Sequence, residues 1–378
     1  MRILIATITA GGGHLQAAAA LQEAWLESHP KDVVERLDLL TLFSPLHRKI
    51  YSEGYVKLIA HAPEVWGMVF NKMDNPTLIR KLARWKSALG SNSSRKFARL
   101  VKKFAPDAVL CTHYLPVEFL GGLRKKWPDP PPLTVSVVTD FEAHALWMEP
   151  NVDLYCVAAE ETKARLVARG AVADRVLATG IPISAKFSAP IDTAAVRKHY
   201  GLRDDLPVLL VLSGGFGMGP VAEILAAMDQ IERPFQTLVV AGRNEQLRRD
   251  VAAQDRRHPT HVLGFVTNMH ELMAISDMLV TKPGGLTTSE ALAMGKPLFI
   301  LNPIPGQEAA NSDFLLQRGA AVKVNRVEDL PFQLEQLLGS KKLTAMARAA
   351  KALGRPAAAA DICGAVTTLL AKRATGAL

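Results

Sequence analysis

Cysteine is scarce in this sequence, and the few cysteines follow no functional spacing. Cys111, Cys156 and Cys363 are far apart and odd in number, and none belongs to a C-x-x-C or Cys/His pattern. This excludes a disulfide scaffold and gives no support to a cysteine-based zinc site or a dithiol redox centre. We expect three reduced, buried thiols in a cytoplasmic protein.

Long apolar runs are also missing. No stretch of about 20 predominantly apolar residues is free of glycine, so no membrane-spanning helix is predicted. The first apolar run, Ile3 to Ile8, ends at three glycines and is shorter than the roughly 7 to 15 residues of a signal-peptide core. We therefore expect the N-terminus to be retained.

The overall composition is that of a globular protein. The chain has 378 residues, of which 49% are apolar and 21% are charged. The low hydrophobicity and high charge of disordered chains are absent. At roughly 100 to 200 residues per domain, this length predicts two domains.

Positive charge is concentrated in one segment. The net charge is +9, and residues 72–103 contain ten basic residues against one acid, Asp74. Their apolar neighbours are spaced as two amphipathic helices separated at Gly90-Ser91-Asn92. The segment is either a solvated helical face or a surface for anionic lipid, with Trp66, Phe70 and Trp85 as interfacial anchors. We expect no nucleic-acid partner, because no nucleic-acid-binding module accompanies the run. The ten basic residues are Lys72, Arg80, Lys81, Arg84, Lys86, Arg95, Lys96, Arg99, Lys102 and Lys103.

Short apolar runs alternate with helical patterns along the chain. Strands that are buried on both faces and separated by helices predict parallel sheets in an α/β fold. The pattern loosens after Gly180 and restarts at Val208, which predicts two doubly wound domains with a linker near residues 184–194. Such domains bind ligands at the carboxyl ends of their strands. The predicted strands are 3–8, 33–37, 108–111, 134–138, 154–157, 176–179, 208–212, 237–241, 261–263, 278–281, 298–301 and 321–324.

The first glycine-rich segment, AGGGH at Ala10 to His14, follows the first predicted strand and precedes a helix expected near Leu15. Gly12 and Gly13 allow the backbone to approach a ligand closely. A dinucleotide fingerprint needs a third glycine where Gln16 stands, so NAD binding is not predicted. At a helix N-terminus the dipole disfavours imidazolium, which leaves His14 as a neutral ring suited to general base catalysis.

The second segment, SGGFGMG at Ser213 to Gly219, follows the first strand of the second predicted domain. Its glycines expose backbone N–H groups before a helix expected near Val221, which makes an anion site. No Gly-Lys-Ser/Thr follows, so the loop is not a Walker A motif. A plain tight turn is the alternative interpretation.

The third segment, TKPGGLTTSEALAMGKP at Thr281 to Pro297, is the most specific signal in the chain. Two glycines open a helix whose first turn offers free N–H groups and hydroxyls to a diphosphate. Glu290 follows on that helix, and a carboxylate so near phosphates must bind a neutral group, for which the ribose hydroxyls fit. The first-turn residues are Gly284, Gly285, Thr287, Thr288 and Ser289, and further polar groups for a sugar follow at Gln307, Glu308 and Asn311.

Four motifs together resemble the family of monogalactosyldiacylglycerol synthases and processive diacylglycerol glucosyltransferases, relatives of the peptidoglycan N-acetylglucosaminyltransferase. They are AGGGH, TDF-x-x-H-x-x-W at Thr139 to Trp147, TGIPI at Thr179 to Ile183, and the TKPGG…E…GKP…Q-E…N block. The resemblance covers the chain from Arg2 to about Leu370. It implies the GT-B fold, with two doubly wound Rossmann-like domains facing across a cleft. We place an acceptor and membrane-binding domain at 1–188, a UDP-sugar domain at 189–360 and a closing helix at 361–378.

The resemblance also implies an activity. It is the inverting transfer of galactose or glucose from a UDP-sugar to the hydroxyl of diacylglycerol, with no metal and no other cofactor. The chain is shorter than the plant synthases and shows no transit peptide, which favours a bacterial enzyme. With the basic segment at residues 72–103, we expect it to bind peripherally to the anionic inner face of the cell membrane.

Site residues follow from the same resemblance. His14 matches the family's proposed base and Glu290 its ribose contact. Phe265 and Val266 match the backbone groups that meet uracil, and Gln307, Glu308 and Asn311 match the donor-sugar contacts. The diphosphate contacts are matched by Ser213, Gly214, Gly215, Gly284, Gly285, Thr287 and Thr288.

Some alternatives stay open. Asp140, Glu142 and His144 could replace His14 as the base or orient it, and His144 and Trp147 could equally be packing residues. The alternative functions are a soluble UDP-sugar-dependent transferase or epimerase of the same fold, and a non-catalytic UDP-sugar-binding membrane protein.

Overall fold

The computed structural model describes residues 1–9, 12–49, 54, 62–75, 91–123, 127, 131–214, 219–301 and 303–376. Its contacts divide the chain into two units. The first contains residues 1–185, 305–307 and 355–378. The second contains residues 186–304 and 308–354.

The first unit is built on a six-stranded parallel sheet with the order β2-β1-β3-β4-β5-β6, so the strand order reverses between β1 and β3. The strands are β1 (Arg2–Thr7), β2 (Val33–Asp38), β3 (Ala108–Cys111), β4 (Leu133–Val137), β5 (Leu154–Cys156) and β6 (Val176–Leu177). The helices between them are α1 (Gly12–Ser28), α2 (Pro63–Met73), α3 (Ser91–Phe104), α4 (Tyr114–Leu123) and α5 (Glu160–Ala168).

The second unit contains another six-stranded parallel sheet, with the order β12-β11-β10-β7-β8-β9 and a reversal between β7 and β10. Its helices are α6 (Thr193–His199), α7 (Val221–Met228), α8 (Glu245–Ala252), α9 (Met269–Ala274), α10 (Gly285–Ala293), α11 (Gln307–Gln317), α12 (Leu330–Leu337) and α13 (Lys341–Leu353). Its strands are β7 (Val208–Leu212), β8 (Gln236–Val240), β9 (Thr260–Leu263), β10 (Met278–Thr281), β11 (Leu298–Leu301) and β12 (Ala321–Val324). The chain ends with α14 (Ala358–Ala374), which packs on the first unit.

The sequence-based fold class is confirmed. All twelve predicted strands are present, with ends that differ by at most two residues. The helix expected near Leu15 begins three residues earlier, at Gly12. The second of the two helices predicted for the basic segment is α3, which begins at Ser91. Residues 76–90, where most of the first was predicted, lie outside the described part of the chain. No helix within the described ranges is long and apolar enough to cross a bilayer.

Strand β1 shows how the first sheet is buried on both faces. Ile3 and Ile5 pack on one face with residues of α1 and α14, while Leu4 and Ala6 pack on the other face with α3. Burial of such a side chain contributes about 1.5 to 3 kcal/mol. The alternation therefore fixes the register of β1, since a slip by one residue would exchange the two faces.

Helix α10 of the second unit is held closely against α13. An added Cβ at Gly354 would lie 2.5 Å from the carbonyl oxygen of Leu292, and Lys351 Nζ donates to the Ala293 carbonyl at 2.8 Å. Glycine at position 354 thus permits the two helices to approach.

Gly354→Ala should destabilise the protein by about 1 to 3 kcal/mol, because backbone must move to admit the methyl group. Gly364→Ala is the matched control: Gly364 is an exposed residue inside α14 with nothing within 4 Å of an added Cβ. It should stabilise by about 0.5 to 1 kcal/mol. Thermal unfolding measures both, and equal effects of the two substitutions would contradict this account of the contact.

Candidate active site

His14 lies in the first turn of α1 and is half-buried. Its Nδ1 is 2.9 Å from the carbonyl oxygen of Thr112 and 2.9 Å from the hydroxyl oxygen of Thr139. Thr112 follows β3 and Thr139 follows β4, and the Thr112 hydroxyl donates to the His14 carbonyl at 3.0 Å. The ring thus stands at the strand-order reversal of the first sheet, where doubly wound folds bind ligands.

These contacts determine the tautomer of His14. A carbonyl oxygen can only accept a hydrogen bond, so Nδ1 must carry the proton, and the Thr139 oxygen accepts from the same N–H. In the neutral ring Nε2 then holds a lone pair. No described residue hydrogen-bonds to Nε2, so this nitrogen can accept a proton from a ligand.

Burial lowers the pKa of His14 to about 4, although the hydrogen bond to Thr112 acts in the opposite direction. The N-terminus of α1 also disfavours a positive charge on the ring. His14 is therefore neutral at physiological pH, as a general base must be before it receives its proton.

The alternatives to His14 are engaged in other interactions. Both nitrogens of His144 are occupied, because Nε2 donates to the Phe70 carbonyl at 2.9 Å and Nδ1 accepts from Leu146 N at 3.1 Å. His144 is also buried, so it is a packing and capping residue. Glu142 forms an ion pair with Arg165. Asp140 is half-buried next to Thr139, but the hydroxyl of Thr139 is the group that contacts His14.

The sequence analysis missed two residues of this cluster, Thr112 and His113. The His113 ring centroid lies 4.8 Å from that of His14, with the planes at 85°. Burial, with a smaller contribution from neighbouring His14, holds the pKa of His113 well below its ordinary value. The rule that functional groups follow strands would have found both residues, because they come directly after β3.

In the second unit, the loop after β7 begins with a buried serine. Ser213 Oγ donates to the Val240 carbonyl at 2.8 Å, which fixes the start of the loop. Gly214 and Gly219 have φ angles of +77° and +135°, in the region that favours glycine. Gly215 lies outside the described residues.

Helix α10 begins at the adjacent strand end, after β10. Its N-cap is Gly284, which has no side chain to cap the first-turn N–H groups, so those groups are available to an anion. Thr287 is half-buried, whereas Thr288 is fully buried and its hydroxyl has no hydrogen-bond partner among the residues described. The loop after β7 and the N-terminus of α10 both lie where the strand order reverses between β7 and β10. Doubly wound folds bind ligands at this position, and the predicted diphosphate contacts lie there.

Two of the predicted donor-sugar residues form hydrogen bonds with backbone groups near the start of α10 and before α11. Asn311 is fully buried, and its Nδ2 donates to the Pro283 carbonyl at 3.0 Å, just before Gly284. Glu308 is buried too, and its Oε2 accepts from Ile304 N at 2.7 Å. Gln307, the first residue of α11, is half-buried and is grouped with the first unit. Their contacts to a sugar stay predictions.

The two lysines of the third motif have different surroundings. Lys296 Nζ donates to the carbonyls of Ala274 and Ser276 at 2.8 and 2.7 Å, and so caps the end of α9. Lys282 Cε lies 3.8 Å from the position of an added Cβ on Gly219. Within the described residues its ammonium group forms no ion pair. A cation beside both glycine loops suits a diphosphate, and the sequence analysis missed it.

Glu290 is half-buried in α10, and its carboxyl group has no hydrogen-bond partner in the described ranges. Burial raises its pKa to about 8, so the group is mostly neutral at pH 7. A neutral carboxyl group avoids repulsion from a nearby diphosphate and can still bind hydroxyl groups.

Phe265 and Val266 follow β9. Phe265 is 54% exposed, and the guanidinium carbon of Arg243 is 5.0 Å from its ring centroid. Val266 is half-buried. The expected contact of these two residues' backbone groups with uracil stays a prediction.

Comparison with known proteins identifies the family. Residues 14–183 match the family model for monogalactosyldiacylglycerol (MGDG) synthase, and residues 192–353 match that for glycosyl transferases group 1. The processive diacylglycerol beta-glucosyltransferase of Bacillus cereus (strain 03BB102) is 31% identical over 375 residues, which are 98% of this chain and 94% of that protein. Its counterpart in Bacillus pumilus (strain SAFR-032) is 30% identical over 355 residues, which are 93% and 91%.

The chain belongs to the processive diacylglycerol β-glucosyltransferase family.

Solved structures agree on the fold. MurG of Acinetobacter baumannii has a TM-score of 0.61 and 17% identity, and the match covers 97% of this chain and 99% of MurG. The calicheamicin glycosyltransferase CalG4 has a TM-score of 0.62 and 15% identity, with 98% and 99% covered. These structural similarities show that the chain has the GT-B fold. Within the described ranges, no three His, Cys, Asp or Glu side chains are grouped to hold a metal ion.

Glu290→Gln should make the unliganded protein more stable at pH 7.5 to 8. The folded state raises this pKa above its unfolded value of 4.5, so the wild-type protein loses stability as the pH rises from about 4.5 to 8. Glutamine removes that loss, which is about 1 to 3 kcal/mol after allowance for partial exposure. Thermal unfolding across this pH range measures the change.

The sequence analysis assigns the Glu290 carboxyl group to the ribose hydroxyls, so the same substitution should weaken UDP binding. We expect a loss of about 0.5 to 1.5 kcal/mol per hydrogen bond for Glu290→Ala, because the carboxyl group is mostly neutral, and a smaller loss for Gln. Calorimetry that shows unchanged UDP affinity in both variants would exclude the ribose contact.

Proposed function

We propose that this protein transfers glucose from UDP-glucose to the hydroxyl group of diacylglycerol, with inversion at the anomeric carbon. The observation that carries the proposal is the unprotonated Nε2 of His14 at the strand-order reversal of the first sheet. The names of the Bacillus relatives supply glucose and diacylglycerol.

In the proposed reaction, the acceptor hydroxyl gives its proton to Nε2 of His14 as its oxygen attacks the anomeric carbon. A new carbon–oxygen bond forms on one face of the sugar while the bond to UDP breaks on the other face. UDP leaves with the bonding electron pair, and the proton remains on His14 until solvent removes it. The Thr112 carbonyl stabilises the imidazolium, because Nδ1–H still donates to it.

We propose that the leaving diphosphate is stabilised without a metal ion. The uncapped N-terminus of α10, the glycine loop after β7 and the ammonium group of Lys282 supply positive potential where charge develops. Activity in the presence of a chelator such as EDTA should therefore match activity without it.

The direct test is incubation of the protein with radiolabelled UDP-glucose or UDP-galactose and diacylglycerol vesicles. Label from UDP-glucose should enter the lipid phase, and chromatography should show a glucosyl lipid. Label that stays in water, or lipid label from UDP-galactose alone, would contradict the proposal.

His14→Ala should lower turnover by roughly 10² to 10⁴-fold, the usual contribution of a general base. UDP affinity should be nearly unchanged, because the predicted UDP contacts lie in the other unit. Turnover within a few-fold of wild type would exclude His14 as the base and return attention to Asp140.

We also propose that the protein binds peripherally to the anionic inner face of the cell membrane. Helix α3 contains no acidic residue and exposes five basic side chains. Its apolar residues Phe97, Val101 and Phe104 are buried in the core, so α3 attracts lipid by charge. The five are Arg95, Lys96, Arg99, Lys102 and Lys103.

Apolar contact with lipid is supplied by α2. Its Val65, Met68 and Val69 are 51%, 72% and 42% exposed. The anchors expected from the sequence, Trp66 and Phe70, are half-buried, and the Phe70 ring packs on His144 with centroids 4.1 Å apart. The expected anchor Trp85 lies outside the described residues, as do Arg80, Lys81, Arg84 and Lys86.

Replacement of Arg95, Arg99 and Lys102 by Gln should weaken binding to anionic vesicles by about 1 to 3 kcal/mol, since each charge near the surface contributes about 1 kcal/mol. Sedimentation measures the loss, which should shrink with added salt. The control replaces Lys341, Lys342 and Arg348, three exposed basic residues of α13, by Gln. Equal losses in the two triple variants would show that only total charge matters and would contradict a role for α3.

A further inference from the structure

His113 and His14 form a pair of neighbouring imidazole rings at the strand-order reversal of the first sheet. Their centroids are 4.8 Å apart and the rings are nearly perpendicular. The β1–β3 pairing sets this distance, because Thr112 N donates to the Ala6 carbonyl at 3.1 Å just before His113. The proposed reaction uses His14 but assigns nothing to His113.

The backbone selects opposite tautomers for the two rings. His113 Nδ1 accepts a hydrogen bond from Leu115 N at 3.1 Å, so this nitrogen carries the lone pair. The neutral ring must then carry its proton on Nε2. His14 is the reverse, with the proton on Nδ1 and the lone pair on Nε2. One ring thus offers an acceptor nitrogen and the other a donor nitrogen.

The donor of His113 has no partner among the residues described, although the side chain is only 5% exposed. Nε2 is not one of the fully buried polar atoms that lack a partner, so its N–H is accessible and available to an oxygen of a ligand. The two ring centroids are only 4.8 Å apart, and in the proposed reaction the neighbouring ring receives the proton of the acceptor hydroxyl. An oxygen bound by His113 would therefore belong to the same acceptor molecule and lie near that hydroxyl.

We propose that His113 binds, through Nε2–H, the oxygen on the carbon next to the one that bears the attacking hydroxyl, and that it thereby selects acceptors with two vicinal oxygens. The inference rests on the function proposed above. In 1,2-diacylglycerol, the C2 ester oxygen stands next to the free hydroxymethyl group. Every hydroxyl-bearing carbon of a hexose also has an oxygen on the neighbouring carbon.

The pair therefore suits two successive acceptors. The relatives are named processive, and a processive enzyme uses its glycosylated product as the next acceptor. A glucosyl lipid differs from diacylglycerol in size and polarity, yet both present a hydroxyl beside a second oxygen. Recognition of this two-oxygen unit by His14 and His113 accommodates both without a separate site.

The test compares two acceptors with one atom changed. One is 1,2-dioleoylglycerol, and the other is its analogue with a methylene group in place of the C2 oxygen. Wild type should prefer the natural lipid by about 5- to 100-fold in kcat/KM, the range expected when a donor that the bound lipid covers loses its acceptor. In His113→Phe the preference should fall to within about twofold of unity, and His113→Gln, whose amide N–H can replace Nε2–H, should restore part of it.

A purely structural role for His113, as a support for the His14 ring, gives a different result. His113→Phe would then lower kcat/KM equally for the two acceptors and keep the wild-type preference. That result would overturn the proposal. His14→Ala is the reference for this pattern, because loss of the base should slow both acceptors alike. Thermal unfolding verifies that each variant is folded, because His113 lies in the first unit and the predicted UDP contacts lie in the second.

Wild type alone also decides the question if His113→Phe does not fold. Equal kcat/KM for the two lipids would overturn the role of His113 while leaving glucosyl transfer intact. Absence of transfer to both lipids would instead contradict the proposed function, so the two failures are distinguishable.

Discussion

The hydrogen bond from His14 Nδ1 to the carbonyl oxygen of Thr112 is the interaction on which the proposed chemistry depends. It requires α1 and the end of β3 to be held in one relative position. That position follows from the pairing of β1 with β3, in which Ile3 lies opposite Ala108 and Ala6 opposite Cys111. Because both faces of the sheet are buried, core packing fixes this register and, through it, the tautomer of His14, the proposed base.

In the proposed reaction, the second unit has a different task, which is to stabilise the diphosphate as UDP leaves. Its means are the uncapped start of α10, the glycine loop after β7 and the ammonium group of Lys282. Hydrogen bonds hold both ends of α10: Asn311 Nδ2 donates to the Pro283 carbonyl before its start, and Lys351 Nζ donates to the Ala293 carbonyl at its end. Burial raises the pKa of Glu290 on the same helix, so the unliganded protein loses stability as the pH rises above 4.5. Residues at binding sites often impose such a loss.

Local patterns made the fold predictable from the sequence. Strands such as Ala108–Cys111 are short apolar runs between helical stretches, and twelve of them sufficed to indicate two doubly wound sheets. His14 and the Gly284–Glu290 segment were predictable because glycines mark them. Thr112 and His113 carry no such mark, and their approach to His14 arises from pairing between residues about 100 positions apart. Nor could the sequence show that α3 buries its aromatic residues while α2 exposes Val65, Met68 and Val69.

The central claim concerns a proton on one nitrogen of one ring, and ¹⁵N NMR of histidine-labelled protein observes it directly. With His14→Gln used to assign the resonance, two-bond couplings distinguish a protonated Nδ1 from a protonated Nε2. The account predicts that His14 is the Nδ1–H tautomer near neutral pH and that it becomes an imidazolium only near a pKa of about 4. A protonated Nε2, or titration near the ordinary histidine pKa, would contradict it.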